Sequence, residues 1–328
     1  MGLSRDALRR LAGEPVVVDG NTLDVQTQVM LDSMRRLGIV QSDDVEQSRR
    51  EMEEDKHAVA PVPPVMESER DVLIGPMRAR IYRPKTASAK PGMLVFFHGG
   101  GWVFGDLETH DNLCRSLANV AGCSVVSVDY RLAPEAKFPV SVDDAFAATQ
   151  WAADNAQTLG LDPVRLAVAG DSAGGNLATV VSLMAARSGA IKIVYQVLLY
   201  PATDLALTHD SYRRGGQQFN LTTAAMRWFR ELYLTAPDEV DDWRASPLRA
   251  KEFANMPPAF IATAGCDPLC DEGEAYARLL ECNNVPVTLR HFPGQMHGFA
   301  SMVGFVRAAE EVLADVGAAL KQAWARAS

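Results

Sequence analysis

The chain has 328 residues, of which 48% are hydrophobic and 22% are charged. A composition this apolar can bury a large core, which excludes an intrinsically disordered chain and a coiled coil. The net charge is −9, from 32 basic and 41 acidic residues. The basic residues group only in short pairs such as Arg9-Arg10, so the sequence also argues against a nucleic-acid-binding protein.

Membrane insertion and secretion are not expected. The apolar stretch at 193–201 ends long before the roughly 20 residues that a transmembrane helix requires. The N-terminal segment MGLSRDALRR lacks the apolar part of a secretory signal. We therefore expect a cytoplasmic protein with no stable membrane insertion.

The cysteines indicate neither disulfides nor a metal site. There are five of them, an odd number, and none form a C-x-x-C pair. Cys266 and Cys270 lie close to Cys282, but no pair of histidines with zinc-ligand spacing accompanies them. We expect free thiols and no bound metal.

The spacing of apolar residues predicts the elements in chain order. Residues 1–60 are predicted to be helical, first over 23–37 and then over the charged stretch 42–57, before a proline-rich break at 61–64. From residue 65 onward, short apolar strands alternate with amphipathic helices, which predicts an α/β fold with a mostly parallel sheet and helices on both faces. The predicted strands are 77–82, 93–97, 125–128, 166–169, 194–199, 260–264 and 287–291, and the later helices are 112–121, 142–155, 175–187, 274–283 and 306–323.

One segment interrupts this alternation. About 60 residues separate the strand at 194–199 from the strand at 260–264, which is too long for a simple crossover. The segment contains a predicted helix at 223–233, and we expect it to pack with the N-terminal helices. The expected organisation is a core of 65–204 and 251–328 that carries an insertion at 205–250.

A G-x-S-x-G pentapeptide at 170–174 gives the strongest chemical signal. Alone it is weak, because turns select both Gly and Ser. Here it joins the strand at 166–169 to the helix at 175–187, and a serine at such an apex is held above the sheet next to a helix N-terminus. No Gly-Lys-Ser/Thr follows, which excludes a phosphate-binding P-loop. We therefore predict Ser172 as a nucleophile.

The sequence HGGGW at 98–102 follows directly after the strand at 93–97. A run of glycines costs conformational entropy and is useful where backbone N–H groups must approach a ligand closely. Together with the N–H of Ala173, these groups can bind the oxyanion of a tetrahedral intermediate. We expect His98 to support this loop rather than to transfer protons.

A serine hydroxyl needs a base, and three histidines follow Ser172 in the chain. His209 lies in the insertion and His291 ends a strand, whereas His297 lies between two glycines after the last strand, where sites of parallel sheets assemble. We predict His297 as the base.

The acid that orients the base is predicted to be Asp267, which follows the strand at 260–264. Asp271 and Glu272 are competitors, although they lie at the start of a helix, where acids stabilise the dipole. Asp204 follows the preceding strand and is the main alternative.

These motifs together resemble those of the bacterial hormone-sensitive-lipase-like carboxylesterases, a family of α/β-hydrolases. The order Ser172, Asp267, His297 is also that of the α/β-hydrolases. The matching segments are HGGGW at 98–102, DYRLAPEAKFP at 129–139, GDSAGGNLA at 170–178, DPLCDEGEAYA at 267–277 and GQMHGF at 294–299. They span the chain from about residue 70 to its end, whereas the first 60 residues are similar mainly in being helical.

The resemblance implies an α/β-hydrolase fold and the hydrolysis of short- to medium-chain acyl esters without a cofactor. The implied partner is a small-molecule ester, and because family members are often dimeric, the resemblance also allows a homodimer. It implies that 1–60 and 205–250 form a helical cap over the site.

The site residues that the resemblance implies match those read from the motifs. Which adjacent glycines donate to the oxyanion is left open, because family members differ. The residues are Ser172, His297 and Asp267 for catalysis, and Gly99, Gly100, Gly101 and Ala173 for the oxyanion hole. Aromatic and Met side chains that are candidates for lining the substrate pocket are Trp102, Phe219, Met226, Trp228 and Phe229. Alternatively, the aromatic residues of the insertion fill the core of the cap itself.

Two other functions share these motifs. Some plant hormone receptors resemble this fold but have lost the catalytic histidine, so a small-molecule binding protein is the rival class. An amidase or peptidase would use the same three side chains. The presence of all three triad residues favours an enzyme.

Overall fold

An eight-stranded sheet with helices on both faces forms the centre of the computed structural model, which describes residues 4–18, 20–36, 44–55, 62–214 and 220–327. Its strands are β3 (Met66–Ile74), β4 (Met77–Pro84), β5 (Met93–Phe97), β6 (Ser124–Asp129), β7 (Leu166–Asp171), β8 (Tyr195–Leu199), β9 (Ala259–Cys266) and β10 (Val287–Met296), and a separate two-stranded sheet consists of β1 (Val17–Val18) and β2 (Asn21–Thr22). The α-helices are α1 (Arg5–Ala12), α2 (Val25–Arg36), α3 (Val45–Asp55), α4 (Asp111–Ala121), α5 (Val140–Asn155), α6 (Ala173–Ser188), α7 (Ser211–Arg214), α8 (Thr223–Tyr233), α9 (Cys270–Cys282) and α10 (Arg307–Arg326). Short 3₁₀ helices cover Pro237–Asp241, Pro247–Arg249 and Phe299–Ser301.

The sheet has the strand order β10-β9-β8-β7-β5-β6-β4-β3. Strand β4 runs antiparallel to both β3 and β6, and the remaining neighbours are parallel. The central strands are buried along their whole length, which explains why they are short continuous apolar runs. This architecture confirms the predicted mostly parallel sheet with helices on both faces.

Two hydrophobic clusters lie on opposite faces of the sheet. Helices α5, α6 and α9 cover one face and α4 and α10 cover the other. Along β5 the side chains alternate, so Val95 and Phe97 belong to the first cluster and Leu94 and Phe96 to the second. Because most neighbouring strands are parallel, their carboxyl ends lie along the same edge of the sheet. Ligand sites of such folds lie at this edge.

The predicted elements differ from the structure in several places. Strand β10 was predicted to end at His291, but it continues to Met296, so His291 lies inside the strand. Strand β3 was not predicted, because most of its residues are exposed, charged residues interrupt its apolar pattern, and it pairs with β4 at the edge of the sheet. Within 1–60, which was predicted to be helical, Val17–Val18 and Asn21–Thr22 instead pair as the short antiparallel strands β1 and β2. The predicted helix at 42–57 corresponds to α3, and its ends lie outside the described residues.

The N-terminal helices contact loops at the carboxyl edge of the sheet. Thr27 of α2 donates a hydrogen bond of 2.6 Å to Gln295, next to the loop that carries His297. Arg49 of α3 donates to the carbonyl oxygens of Val103 and Ala133 at 3.0 and 2.9 Å. Helix α8 of the insertion joins the cluster on the α5 and α6 face. Both segments thus border the edge at which the predicted site residues lie.

The five cysteines are free thiols, as their spacing predicted, and all except Cys282 are buried. Among the helices that the structure describes, none combines the length and the apolar character that crossing a membrane requires.

Candidate active site

Ser172 lies at the sharp turn between β7 and α6. Its backbone has φ 55° and ψ −119°, a strained conformation for a residue other than glycine. The flanking Gly174 permits this turn, since a Cβ there would lie 1.9 Å from the carbonyl oxygen of Phe97. The serine is 7% exposed, at the N-terminal end of α6. The pentapeptide therefore has the strand-turn-helix geometry that positions a nucleophile.

Ser172, His297 and Asp267 form one continuous hydrogen-bonded chain. The Nε2 atom of His297 lies 2.9 Å from Oγ of Ser172, and its Nδ1 atom lies 2.8 Å from Oδ2 of Asp267. The second oxygen of Asp267 accepts a hydrogen bond of 2.8 Å from the N–H of Leu269, so both carboxylate oxygens act as acceptors. If Nδ1 donates to the carboxylate, Nε2 is free to accept the serine proton. This arrangement can activate the hydroxyl for attack on an acyl carbon.

The alternative histidines and acids have other partners. Asp204 lies 3.6 Å from His209 and 3.1 Å from Arg249. Burial raises the pKa of Asp204, but the nearby His209 and Arg249 and the hydrogen bond from the N–H of Ala206 outweigh this and hold the pKa below its usual range. His291 lies 3.3 Å from Glu274.

Asp271 and Glu272, at the start of α9, accept hydrogen bonds from the segment that follows β8. Asp271 accepts from the N–H of Ser211 at 2.8 Å. The buried Glu272 accepts from the hydroxyl of Tyr212 at 2.7 Å and from the N–H of Thr203 at 2.7 Å. These acids therefore contribute to the packing of the loop that follows β8.

Glu272 predicts a specific pH dependence of stability. Burial raises its pKa from 4.5 to about 8, against the opposing effect of its hydrogen bonds. Between these values the unfolded chain is ionised while the folded protein retains the proton, so the free energy of unfolding falls as pH rises, by at most about 1.4 kcal/mol per pH unit. Glu272→Gln should remove this slope, and its melting temperature relative to wild type should rise from pH 5 to pH 8.

Thermal unfolding across this pH range measures the difference. The exposed Glu281 lies on the same helix, and Glu281→Gln should follow the wild-type pH profile. If the melting temperatures of Glu272→Gln and wild type changed with pH in parallel, Glu272 would have the same pKa in the folded and unfolded states, and the prediction would be wrong.

The glycine loop after β5 requires one correction. Gly99, predicted as a candidate oxyanion donor, instead donates its N–H to Oδ1 of Asp171 at 2.8 Å. In the described part of the chain, no acceptor is assigned to the backbone N–H of Gly100, Gly101 or Ala173. Gly101 has φ +61°, and a Cβ there would lie 2.4 Å from the ring of Phe229. Among the described residues, the backbone N–H groups of Gly100, Gly101 and Ala173 therefore lack the kind of acceptor that holds Gly99.

A buried polar network beneath the glycine loop was missed by the sequence reasoning. Oδ1 of Asp171, which accepts the hydrogen bond from the N–H of Gly99, also lies 3.2 Å from Nε2 of His110. Burial raises the pKa of Asp171, but His110 and the Gly99 hydrogen bond hold it below its usual range. Through Asp171, the network connects the turn that carries Ser172 to the glycine loop. The one feature of the sequence that could have indicated this network is the position of Asp171 directly before Ser172 in the pentapeptide.

His98 lies under the loop, where it was expected to give support. Its ring stacks on Tyr130 at a centroid distance of 4.3 Å, and the Tyr130 hydroxyl donates to the His98 carbonyl at 2.8 Å. Burial and the nearby His110 lower the pKa of His98 to about 4, so the ring is neutral at pH 7. Tyr130 belongs to the DYRLAPEAKFP segment at 129–139, so this segment supports His98 beneath the glycine loop.

The predicted pocket-lining aromatic residues occupy different places. Trp102 is 1% exposed and stacks on Tyr233 of α8 at 4.4 Å, so its ring packs between the glycine loop and the insertion rather than facing an open pocket. Trp228 is half-buried, and the centroid of its ring lies 5.8 Å from that of Phe104. Met226 and Phe229 are buried in the cluster on the same face. Phe219 lies outside the described residues.

The fold and the arrangement of these residues are those of an α/β-hydrolase. The family model for the alpha/beta hydrolase fold matches residues 94–301, and the chain belongs to this family.

Characterised relatives define the class more narrowly. The chain is 44% identical over 304 residues to the carboxylic ester hydrolase LipN of Mycobacterium tuberculosis, covering 89% of this chain and 80% of that protein. It is 42% identical over 246 residues to an ethyl acetate hydrolase of Pseudomonas putida, covering 74% and 77%. A hyperthermophilic esterase from Pyrobaculum calidifontis has a TM-score of 0.84 at 39% identity, covering 90% and 97% of the two chains. The chain is a hormone-sensitive-lipase-like carboxylic ester hydrolase.

Proposed function

We propose that the protein hydrolyses short- to medium-chain acyl esters through an acyl-enzyme intermediate on Ser172. The observation that carries this proposal is the unbroken chain of hydrogen bonds from Ser172 Oγ through His297 to Asp267, at 2.9 and 2.8 Å. Nε2 of His297 takes the hydroxyl proton as Oγ attacks the ester carbonyl carbon. The proton then passes to the leaving alcohol, and a water molecule activated in the same way releases the acid.

The oxyanion of each tetrahedral intermediate is stabilised by the backbone N–H groups of Gly100, Gly101 and Ala173. The support for this proposal is that these N–H groups donate to no acceptor in the part of the chain that the structure describes, whereas the N–H of Gly99 donates to Asp171. Donors that are fixed before the reaction stabilise developing charge without reorganising. Asp171 is a positioning residue in this scheme, because it fixes the loop next to the nucleophile.

The segments 1–60 and 205–250 form the cap in this proposal. Its support is that α2 and α3 contact the loops that carry His297 and the glycine run, and that Phe229 of α8 packs on Gly101. A cap built against the glycine loop limits the space above Ser172. A relative that hydrolyses ethyl acetate is consistent with a small acyl group.

A series of p-nitrophenyl esters from acetyl to dodecanoyl tests the substrate class. We expect kcat/KM to be highest for short or medium chains and to fall toward dodecanoyl. Matched p-nitroanilides of the preferred acyl group should react far more slowly, because the amine is a poorer leaving group. Anilide rates equal to ester rates would favour an amidase, and a maximum at dodecanoyl would contradict the proposed chain length.

A further inference from the structure

Three potential metal ligands converge at the edge of the sheet, outside the proposed triad. Cys270 and Glu274 lie one turn apart on α9, and His291 projects from β10 beside them. The distances are 3.8 Å from Sγ of Cys270 to Oε1 of Glu274, 4.0 Å from Sγ to Nδ1 of His291, and 3.3 Å from Nδ1 to Oε1. Because the histidine is 17 residues beyond Glu274, spacing along the sequence gave no indication of this cluster.

The three distances are close to the edges of a tetrahedral zinc site. Zinc lies about 2.3 Å from thiolate sulfur and about 2.0–2.1 Å from imidazole nitrogen or carboxylate oxygen. Tetrahedral geometry then places nitrogen and oxygen about 3.3–3.4 Å apart and sulfur about 3.5–3.6 Å from either. The nitrogen–oxygen distance already matches, and the sulfur needs to approach by less than about 0.5 Å, which a side-chain rotation can supply.

The cluster opens into a cavity of about 180 Å³, which has room for water as a further ligand. Three carboxylates line this cavity, those of Asp267, Asp271 and Glu274, against one guanidinium, that of Arg214. The surplus of negative charge favours a divalent cation. The hydroxyl of Thr263 also lies 3.0 Å from Nδ1 of His291 and has to give up this contact when the metal takes the lone pair of that nitrogen.

We propose that Cys270, Glu274 and His291 bind a borderline-soft divalent cation of the zinc class. The mixture of thiolate, imidazole and carboxylate suits zinc or cobalt and does not suit magnesium or calcium, which prefer oxygen ligands alone. The thiol must lose its proton to the solvent when the metal binds, because the thiolate is the ligand. This proposal replaces the expectation of no metal site, which rested on sequence spacing.

Titration of the chelator-treated protein with Co²⁺ tests the site directly, since a cobalt–thiolate bond gives a charge-transfer absorption in the near ultraviolet. Wild type should develop this band up to one equivalent of Co²⁺, and excess Zn²⁺ should remove it. Cys282→Ser is the matched control, because Cys282 is the exposed thiol at the other end of α9, and it should behave as wild type. Cys270→Ser should lose the band.

Glu274→Gln provides a second variant that keeps the thiol. It should retain the band with an apparent affinity at least about tenfold weaker, as expected when a ligand is lost. Absence of the band in wild type at millimolar Co²⁺, its persistence in Cys270→Ser, or unchanged affinity in Glu274→Gln would each overturn the proposal.

Discussion

Replacing Ser172 by alanine should lower kcat for a short-chain ester by about 10⁶-fold, the loss typical of serine hydrolases without their nucleophile. Alanine has no Oγ, so neither the acyl-enzyme nor the proton transfer to His297 can occur. The oxyanion donors and the pocket remain, and they leave a residual acceleration of about 10³- to 10⁴-fold over the reaction in water. Single-substrate kinetics on p-nitrophenyl acetate measure the change.

Ser182→Ala is a matched control for this variant. Ser182 is buried in the same helix, α6, and its hydroxyl donates to the carbonyl of Ala178 at 2.8 Å. Its removal should leave kcat within about twofold of wild type, with a loss of stability of about 1 kcal/mol from one hydrogen bond. A fluorophosphonate probe should label wild type and Ser182→Ala but not Ser172→Ala. More than about 1% residual activity in Ser172→Ala would contradict a serine nucleophile.

Much of the fold was predictable because its signals are local. Strands β5 and β7 are buried on both faces, so their apolar runs stand out in the sequence, and the glycines around Ser172 mark the turn. Strand β3 has no such signal, because an exposed edge strand pairs through its backbone and its side chains are free to be charged.

The site was predictable in its residue types but not in its orientations. Three adjacent glycines are equivalent in the sequence, and only the backbone conformation directs the N–H of Gly99 toward Asp171. Trp102 illustrates the same limit, since its ring stacks on Tyr233 through a contact between residues 131 positions apart. Contacts of this kind depend on tertiary packing, which local patterns do not encode.

Asp267→Asn should lower kcat by about 10⁴-fold, the effect of the corresponding change in a serine triad. Both oxygens of Asp267 accept hydrogen bonds of 2.8 Å, one from His297 and one from the N–H of Leu269. An asparagine has only one acceptor oxygen. If that oxygen faces Leu269, the amide NH₂ faces Nδ1 of His297 and forces the proton onto Nε2, where it blocks transfer from Ser172. If the amide turns over, its NH₂ opposes the N–H of Leu269 instead, at the cost of a buried unpaired donor.

Asp204→Asn separates this role from that of the main alternative acid. Asp204 lies in the loop that follows the neighbouring strand β8, and its partners are His209 and Arg249. Its neutralisation should therefore change kcat by less than about threefold while it weakens those ion pairs. Parallel measurement of kcat and KM for the two variants, with circular dichroism to establish that both are folded, distinguishes the assignments. A larger loss in Asp204→Asn than in Asp267→Asn would move the orienting role to Asp204. That result would require His297 to turn away from the 2.8 Å contact with Asp267, so the prediction tests the geometry of the site as well as the identity of its acid.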